Sequence, residues 1–161
     1  MSPVFISHRK ADEQVALYVD NHLKKFNIRT FIDCLDPELQ NNQNADKVTE
    51  IIIRRLSQCN HLIAVFSQNT QGSWWVPFEI GVATKGDSRI ATYTRNLSVS
   101  EMPEYLRNWP VLTKTDDLFY YAETYLQDET ITFAQKKSHV ERELRTASDF
   151  HNTLKRRLGQ Y

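Results

Sequence analysis

The sequence predicts an α/β protein: a flavodoxin-like three-layer fold with a five-stranded parallel sheet in the order 2-1-3-4-5, plus a C-terminal helix. Two observations predict it. Short apolar or β-branched runs alternate with segments of helical spacing over residues 3–126. The first run ends in polar residues, as a buried parallel strand does. Strand–helix repetition gives a parallel sheet with helices on both faces. Right-handed crossovers then leave few strand orders, of which 2-1-3-4-5 is a common one.

Pro3 to Ser7 forms the first strand. Asp12 to Phe26 places Val15, Ala16, Val19, Leu23 and Phe26 near one helical face. Ile28 to Ile32 is β-branched and aromatic, a second strand. Asp33 to Asp46 reads as a long polar loop, with Pro37 and an Asn/Gln run at Gln40–Gln43; long loops in compact domains are often functional. Ala45 to Leu56 is a helix with Val48, Ile52, Ile53 and Leu56 inward. His61 to Phe66 is the most apolar strand and hence central. A polar loop, Gln68 to Ser73, precedes a helix over Trp75 to Thr84 that Gly86 ends. Arg89 to Tyr93 and Pro110 to Leu112 are the last strands, joined by an irregular segment over Asn96 to Asn108. Asp116 to Leu126 is a helix, with Thr115 as its N-cap.

Ala134 to Tyr161 reads as one amphipathic helix through Val140, Leu144, Ala147, Phe150 or His151, Leu154 and Leu158. The organisation expected is a domain over residues 1–130 and a helix over 131–161 packed back on it. Net charge is zero, yet residues 1–135 carry 13 Lys+Arg against 17 Asp+Glu, and residues 136–161 carry 7 against 3. The balance gives no long-range attraction to nucleic acid or an anionic membrane, so neither is an expected partner. No run is long and apolar enough to span a bilayer, and the N-terminus has no secretory pattern. Cys34 and Cys59 lack CxxC spacing and the histidines are scattered, which predicts no metal site and a cytoplasmic setting. With 4 Gly there is no GxGxxG and no GxxxxGK[ST] loop.

Topology brings two loops together. In this strand order ligands bind outside the carboxyl ends of strands 1 and 3, where the winding reverses. One loop is Ser7-His8-Arg9-Lys10-Ala11-Asp12, with the positive charges of Arg9 and Lys10 and with His8 able to join them. Arg9 offers a planar fork for phosphate or carboxylate; the alternative is a solvated loop with Asp12 capping a helix. The other runs from Ser67 into Trp74-Trp75-Val76-Pro77-Phe78-Glu79. Trp75 and Glu79 stand at i and i+4 and share a helix face. Aromatic rings beside a lone acid suit a planar or cationic ligand; the alternative is core packing plus a favourable charge at the positive helix end. His61, Cys34, the Tyr120-Tyr121-Tyr125 cluster and Asp116-Asp117 read as structural or incidental.

These residues resemble the Toll/interleukin-1 receptor (TIR) domain family. Val4 to Asp12 is similar to its first signature. Ile28-Arg-Thr-Phe-Ile-Asp33 and the loop behind it resemble the second strand and the BB loop. Ile63 to Ser67 and Ser73 to Glu79 resemble the third strand and the W-x-x-x-E element. One departure is the lack of a Gly between Asp33 and Asp46, where many TIR domains carry one. The resemblance covers roughly residues 3–126 and implies two functional classes. Many bacterial and plant members cleave NAD+ at the nicotinamide–ribose bond, giving nicotinamide and ADP-ribose or a cyclic isomer. Animal signalling members are mostly non-catalytic adaptors that self-associate. Short bacterial members often serve anti-phage defence of the Thoeris type, where a separate effector senses the cyclic product.

For the enzyme class the resemblance implies Glu79 as the catalytic residue. Trp74 or Trp75 would wall the nicotinamide, and Arg9 with Lys10 would face the pyrophosphate. Ser7 and Ser67 would bond ribose or amide groups, and Asp33 would lid the site or reach a neighbouring subunit. NAD+ enters as substrate, with no cofactor and no metal. A flavodoxin-like response regulator is a third, disfavoured class.

Overall fold

The computed structural model describes residues 1–41, 44–70, 72–138 and 145–160. Five parallel strands, β1 (Val4–Ser7), β2 (Thr30–Ile32), β3 (His61–Phe66), β4 (Arg89–Thr94) and β5 (Val111–Leu112), lie in the order β2-β1-β3-β4-β5. The helices are α1 (Glu13–Lys24), α2 (Pro37–Gln40), α3 (Ala45–Ser57), α4 (Trp75–Lys85), α5 (Thr115–Ser138) and α6 (Ala147–Arg157).

Alternation along β1 divides the interior. Val4 and Ile6 face one layer, where Val19 and Leu23 of α1, Tyr121 and Tyr125 of α5, and Phe150 and Leu154 of α6 pack. Phe5 faces the other, against Ile52 and Leu56 of α3 and Val76, Ile80 and Ala83 of α4. The period of two in the strand and 3.6 in the helices thus produces a sheet covered on both sides.

Several elements differ from the sequence expectation. The expected loop after β2 is partly helical: a 3-10 turn at Asp33–Leu35, then α2, whose N-cap Asp36 accepts from the Glu38 N–H at 2.9 Å. Asp36 also holds Arg55 of α3 at 2.7 Å, which ties this segment to the body. Ile53 faces outward and Ile51 takes the buried position. His61, at the start of β3, is wholly buried among Tyr125, Phe150, Asp128 and Glu129, deeper than the edge of the core where a residue opening a strand would be expected. Asp116 to Leu126 belongs to a longer helix that continues through residue 130 to Ser138.

The expected single helix from Ala134 is instead the end of α5 and a separate α6. Thr146 is extended (φ −91°, ψ 166°) and forms a capping box with Asp149, which starts a new helix. Val140 and Leu144 of the expected repeat lie outside the described residues, as do Gln71 and positions 42–43 of the Asn/Gln run. The segment from α6 onward covers the β4–β5 edge. The Ile90 N–H donates to His151 Nε2 at 2.8 Å, and burial lowers that ring's pKa to about 4, so it stays a neutral acceptor. The Gln160 amide accepts from the Val111 N–H (2.9 Å) and donates to the Val111 carbonyl (2.6 Å), taking the place of a neighbouring strand.

Asp128, 1% exposed, locks this arrangement. It pairs with Arg89 of β4 at 3.0 Å and with Arg145, just before α6, at 2.6 Å. Removing one member of a buried ion group strands the others. Asp128→Ala is therefore expected to lower the unfolding free energy by ~3–5 kcal/mol in urea titration; a loss below about 1 kcal/mol would contradict a buried ionic lock.

Candidate active site

The carboxyl ends of β1 and β3 are the switch point, and both loops leaving them meet there. Ser7 closes β1 with its side chain turned inward, and its hydroxyl donates to Glu79 Oε2. Glu79 lies in the second turn of α4 and is 1% exposed. Pro77 is accommodated because the first helical turn needs no N–H from that position. Trp75, one turn before Glu79, lines a cavity of about 510 Å³ together with His8, Lys10, Glu13, Asp33, Cys34, Leu39, Gln40, Val48 and Ile52.

Electrostatics at this point favour neutral acids. Burial pushes the Glu79 carboxyl up to about 8; the charge of Asp33 adds to this, and the Ser7 hydrogen bond opposes it. Burial, then Asp36, raises Asp33 to about 6. His8 is lowered by burial, so at neutral pH it offers a ring surface rather than a charge. Burial pushes the Cys34 thiol up to about 11, with the acids around it adding to the effect, so it is a poor nucleophile. A cation entering the cavity would stabilise both carboxylates. Trp75, with Phe78 edge-on at 5.9 Å, supplies an aromatic face beside them.

The structure brings His8, Lys10, Asp33 and Trp75 of the sequence candidates onto the cavity wall. Glu79 and Ser7 lie buried, Glu79 within electrostatic reach of Asp33. Arg9 is directed to the opposite loop, donating to the Asn69 carbonyl. Ser67 donates to Asp12 Oδ1 at 2.7 Å and accepts from the Asn69 N–H at 2.9 Å. Trp74 projects outward, 88% exposed.

A sequence model of the TIR domain family matches residues 4–116. The chain belongs to the TIR domain family. One curated relative, named as a probable 3' cyclic ADP-D-ribose synthase ThsB' from Bacillus cereus (strain MSX-D12), is 27% identical over 79 residues. That match takes in 48% of this chain and 41% of the relative, so it spans under half the relative's length. Among solved structures, the TIR domains of the activated Roq1 resistosome directly recognizing the pathogen effector XopQ align with a TM-score of 0.50 at 15% identity. The alignment covers 96% of this chain and 84% of that one, a likeness of fold.

Several cavity residues of this TIR domain escaped sequence reasoning. Leu39 and Gln40 sit in α2, within the stretch expected to be a loop. Val48 and Ile52 were visible only as an inward face of α3, with no sign that it bordered a cavity. Glu13, on the cavity wall, and Asp12, which joins the two loops without lining the cavity, looked like ordinary acids at a helix start. The signal for Asp12 was the cluster of small donors at Ser67, Asn69 and Thr70 in the facing loop.

The raised acid leaves a mark on stability. Between 4.5 and about 8 the folded protein keeps a proton on Glu79 that the unfolded chain has released. Stability from this group is therefore full below the lower value and lost as pH rises through the upper one. Glu79→Gln is expected to gain on wild type as pH is raised from about 5 to about 8, read by urea denaturation. A difference independent of pH would contradict a buried neutral acid.

Proposed function

We propose that this TIR domain cleaves NAD+ at the nicotinamide–ribose bond, with Glu79 as the catalytic residue. The observation that carries the proposal is a buried carboxyl one helical turn from an aromatic cavity wall, beside a second acid. Nicotinamide in NAD+ is a pyridinium cation. As the C1′–N bond breaks, its electron pair passes to the ring nitrogen and nicotinamide departs neutral. Protonation of the leaving group is unnecessary, so the two-carboxylate arrangement of ordinary glycosidases is not required.

Glu79 would hydrogen-bond the ribose hydroxyls and stabilise the oxocarbenium-like transition state electrostatically. The cationic ring, held on Trp75 near Asp33, would draw Glu79 into its ionised form. Capture by water, with loss of a proton, gives ADP-ribose; capture by a nucleophile of the same molecule gives a cyclic product. The named activity of the ThsB' relative supports the cyclic outcome, a signal read by a separate effector in bacterial anti-phage defence. Self-association through TIR surfaces and a cytoplasmic setting complete the proposal. Among the described residues no helix is long and apolar enough to cross a membrane.

A second reading, a non-catalytic interaction module, is favoured by Trp74, whose 88% exposure leaves a large ring outside the cavity. Incubation with NAD+ and chromatography of products separates the two. Wild type is expected to release nicotinamide, and Glu79→Gln to be slowed by ~10²–10³-fold. Wild-type kcat/KM is expected to rise as pH approaches about 8, the ionisation of free Glu79. No release under any assembly condition would exclude the enzyme. Equal release by wild type and variant would exclude Glu79.

A further inference from the structure

We infer that Asp12 is a positioning residue that clips the two switch-point loops into one rigid rim. Its role in turnover rests on the proposed NAD+ cleavage; the clip itself does not. Asp12 stands at the start of α1, where an Asp ordinarily caps its own helix. Here its side chain makes no cap bond. Instead it is 3% exposed and turned across to the other loop. Its Oδ1 accepts from Ser67 Oγ at 2.7 Å and Asn69 Nδ2 at 3.2 Å, and its Oδ2 accepts from Thr70 Oγ1 at 3.1 Å. Arg9 completes the clip from the same side by donating to the Asn69 carbonyl.

The consequence follows from what each loop carries. The first holds Ser7, His8 and Lys10. The second leads directly into α4, with Trp75 and Glu79. The Ser7–Glu79 hydrogen bond and the approach of His8 and Lys10 to Trp75 therefore depend on how the loops are held together. Three charge-assisted bonds to one buried carboxylate fix that relation far better than a solvated loop pair could. Asp12 does not itself line the cavity, so its influence on turnover passes through the position of Glu79 and Trp75.

The test compares wild type, Asp12→Ala and Asp12→Asn. The Asn variant keeps one acceptor oxygen for Ser67 and Asn69, and its amide can donate to the Thr70 hydroxyl. Two readouts are taken: amide hydrogen exchange over residues 8–12 and 67–70, and the kcat and KM of nicotinamide release. For Asp12→Ala, exchange in both segments is expected to rise severalfold while β3 and β4 stay protected. Its kcat is expected to fall by about 10²-fold with a smaller change in KM. Asp12→Asn is expected to restore most of both. Thr70→Val removes the hydroxyl that donates to Asp12 and accepts from the Ser67 N–H, so it is read across the rim: exchange in residues 8–12 is expected to rise even if the Ala variant fails to fold. Unchanged exchange in Asp12→Ala, or over residues 8–12 in Thr70→Val where the Ala variant does not fold, would overturn the clip. Loss of kcat in the Asn variant equal to that in the Ala variant, with exchange restored, would overturn the positioning role. If wild type releases no nicotinamide, the NAD+ reading fails, and exchange alone decides the clip.

Discussion

A single carboxyl, buried where the winding of the sheet reverses, is the constraint on which the site depends. Glu79 is held by one hydroxyl donor, Ser7, against surroundings that disfavour its charge. An acid in that position is costly to ionise unless a cation arrives. The cavity that Trp75 and Asp33 line carries the features that would admit one: an aromatic face at Trp75, a second acid at Asp33 within electrostatic reach of Glu79, and an apolar wall from Leu39, Val48 and Ile52. The same burial that weakens the empty protein at high pH is what would make the ligand's charge effective.

The rest of the fold holds this point in place from two directions. At the carboxyl ends, Asp12 and Arg9 join the loops that carry the site. At the opposite ends of the strands, Asp128 joins β4 to the start of α6 through Arg89 and Arg145. The zero net charge conceals this second arrangement. Part of the basic excess beyond residue 135 is spent on the acidic body, as in Arg145 with Asp128 and Arg157 with Glu123 at 3.2 Å. Buried apolar side chains, Phe150 and Leu154, hold α6 to the core more firmly than exposed pairs could.

Strand order and both helical faces were legible in the sequence because they rest on periodicity, which burial enforces along each element. Glu79 and Trp75 were legible as a pair because a helix turns i and i+4 to one side. Less was visible wherever side chains cross between elements distant in sequence. Asp12 reads locally as a helix cap, and only the folded chain puts Ser67 and Thr70 opposite it. Ser67 and Arg9 read as ligand contacts, yet each donates to the facing loop, Ser67 to Asp12 and Arg9 to the Asn69 carbonyl. The tail read as one helix because its apolar spacing carries through Thr146, where a capping box breaks the backbone. The polar stretch after β2 read as loop because α2 is four residues long and stabilised by the Asp36 cap and Arg55, not by an apolar stripe.

The most direct test of the central claim is the ionisation of Glu79 itself. Carbon-13 labelling of glutamate carboxyls, with Glu79→Gln to assign the resonance, follows it through a pH titration. The probe is 1-methylnicotinamide, a pyridinium cation with no glycosidic bond to break. The account predicts a midpoint near 8 in the free protein and a midpoint well below that with the cation bound. A midpoint near the ordinary 4.5 in the free protein, or one the cation leaves unmoved, would contradict it.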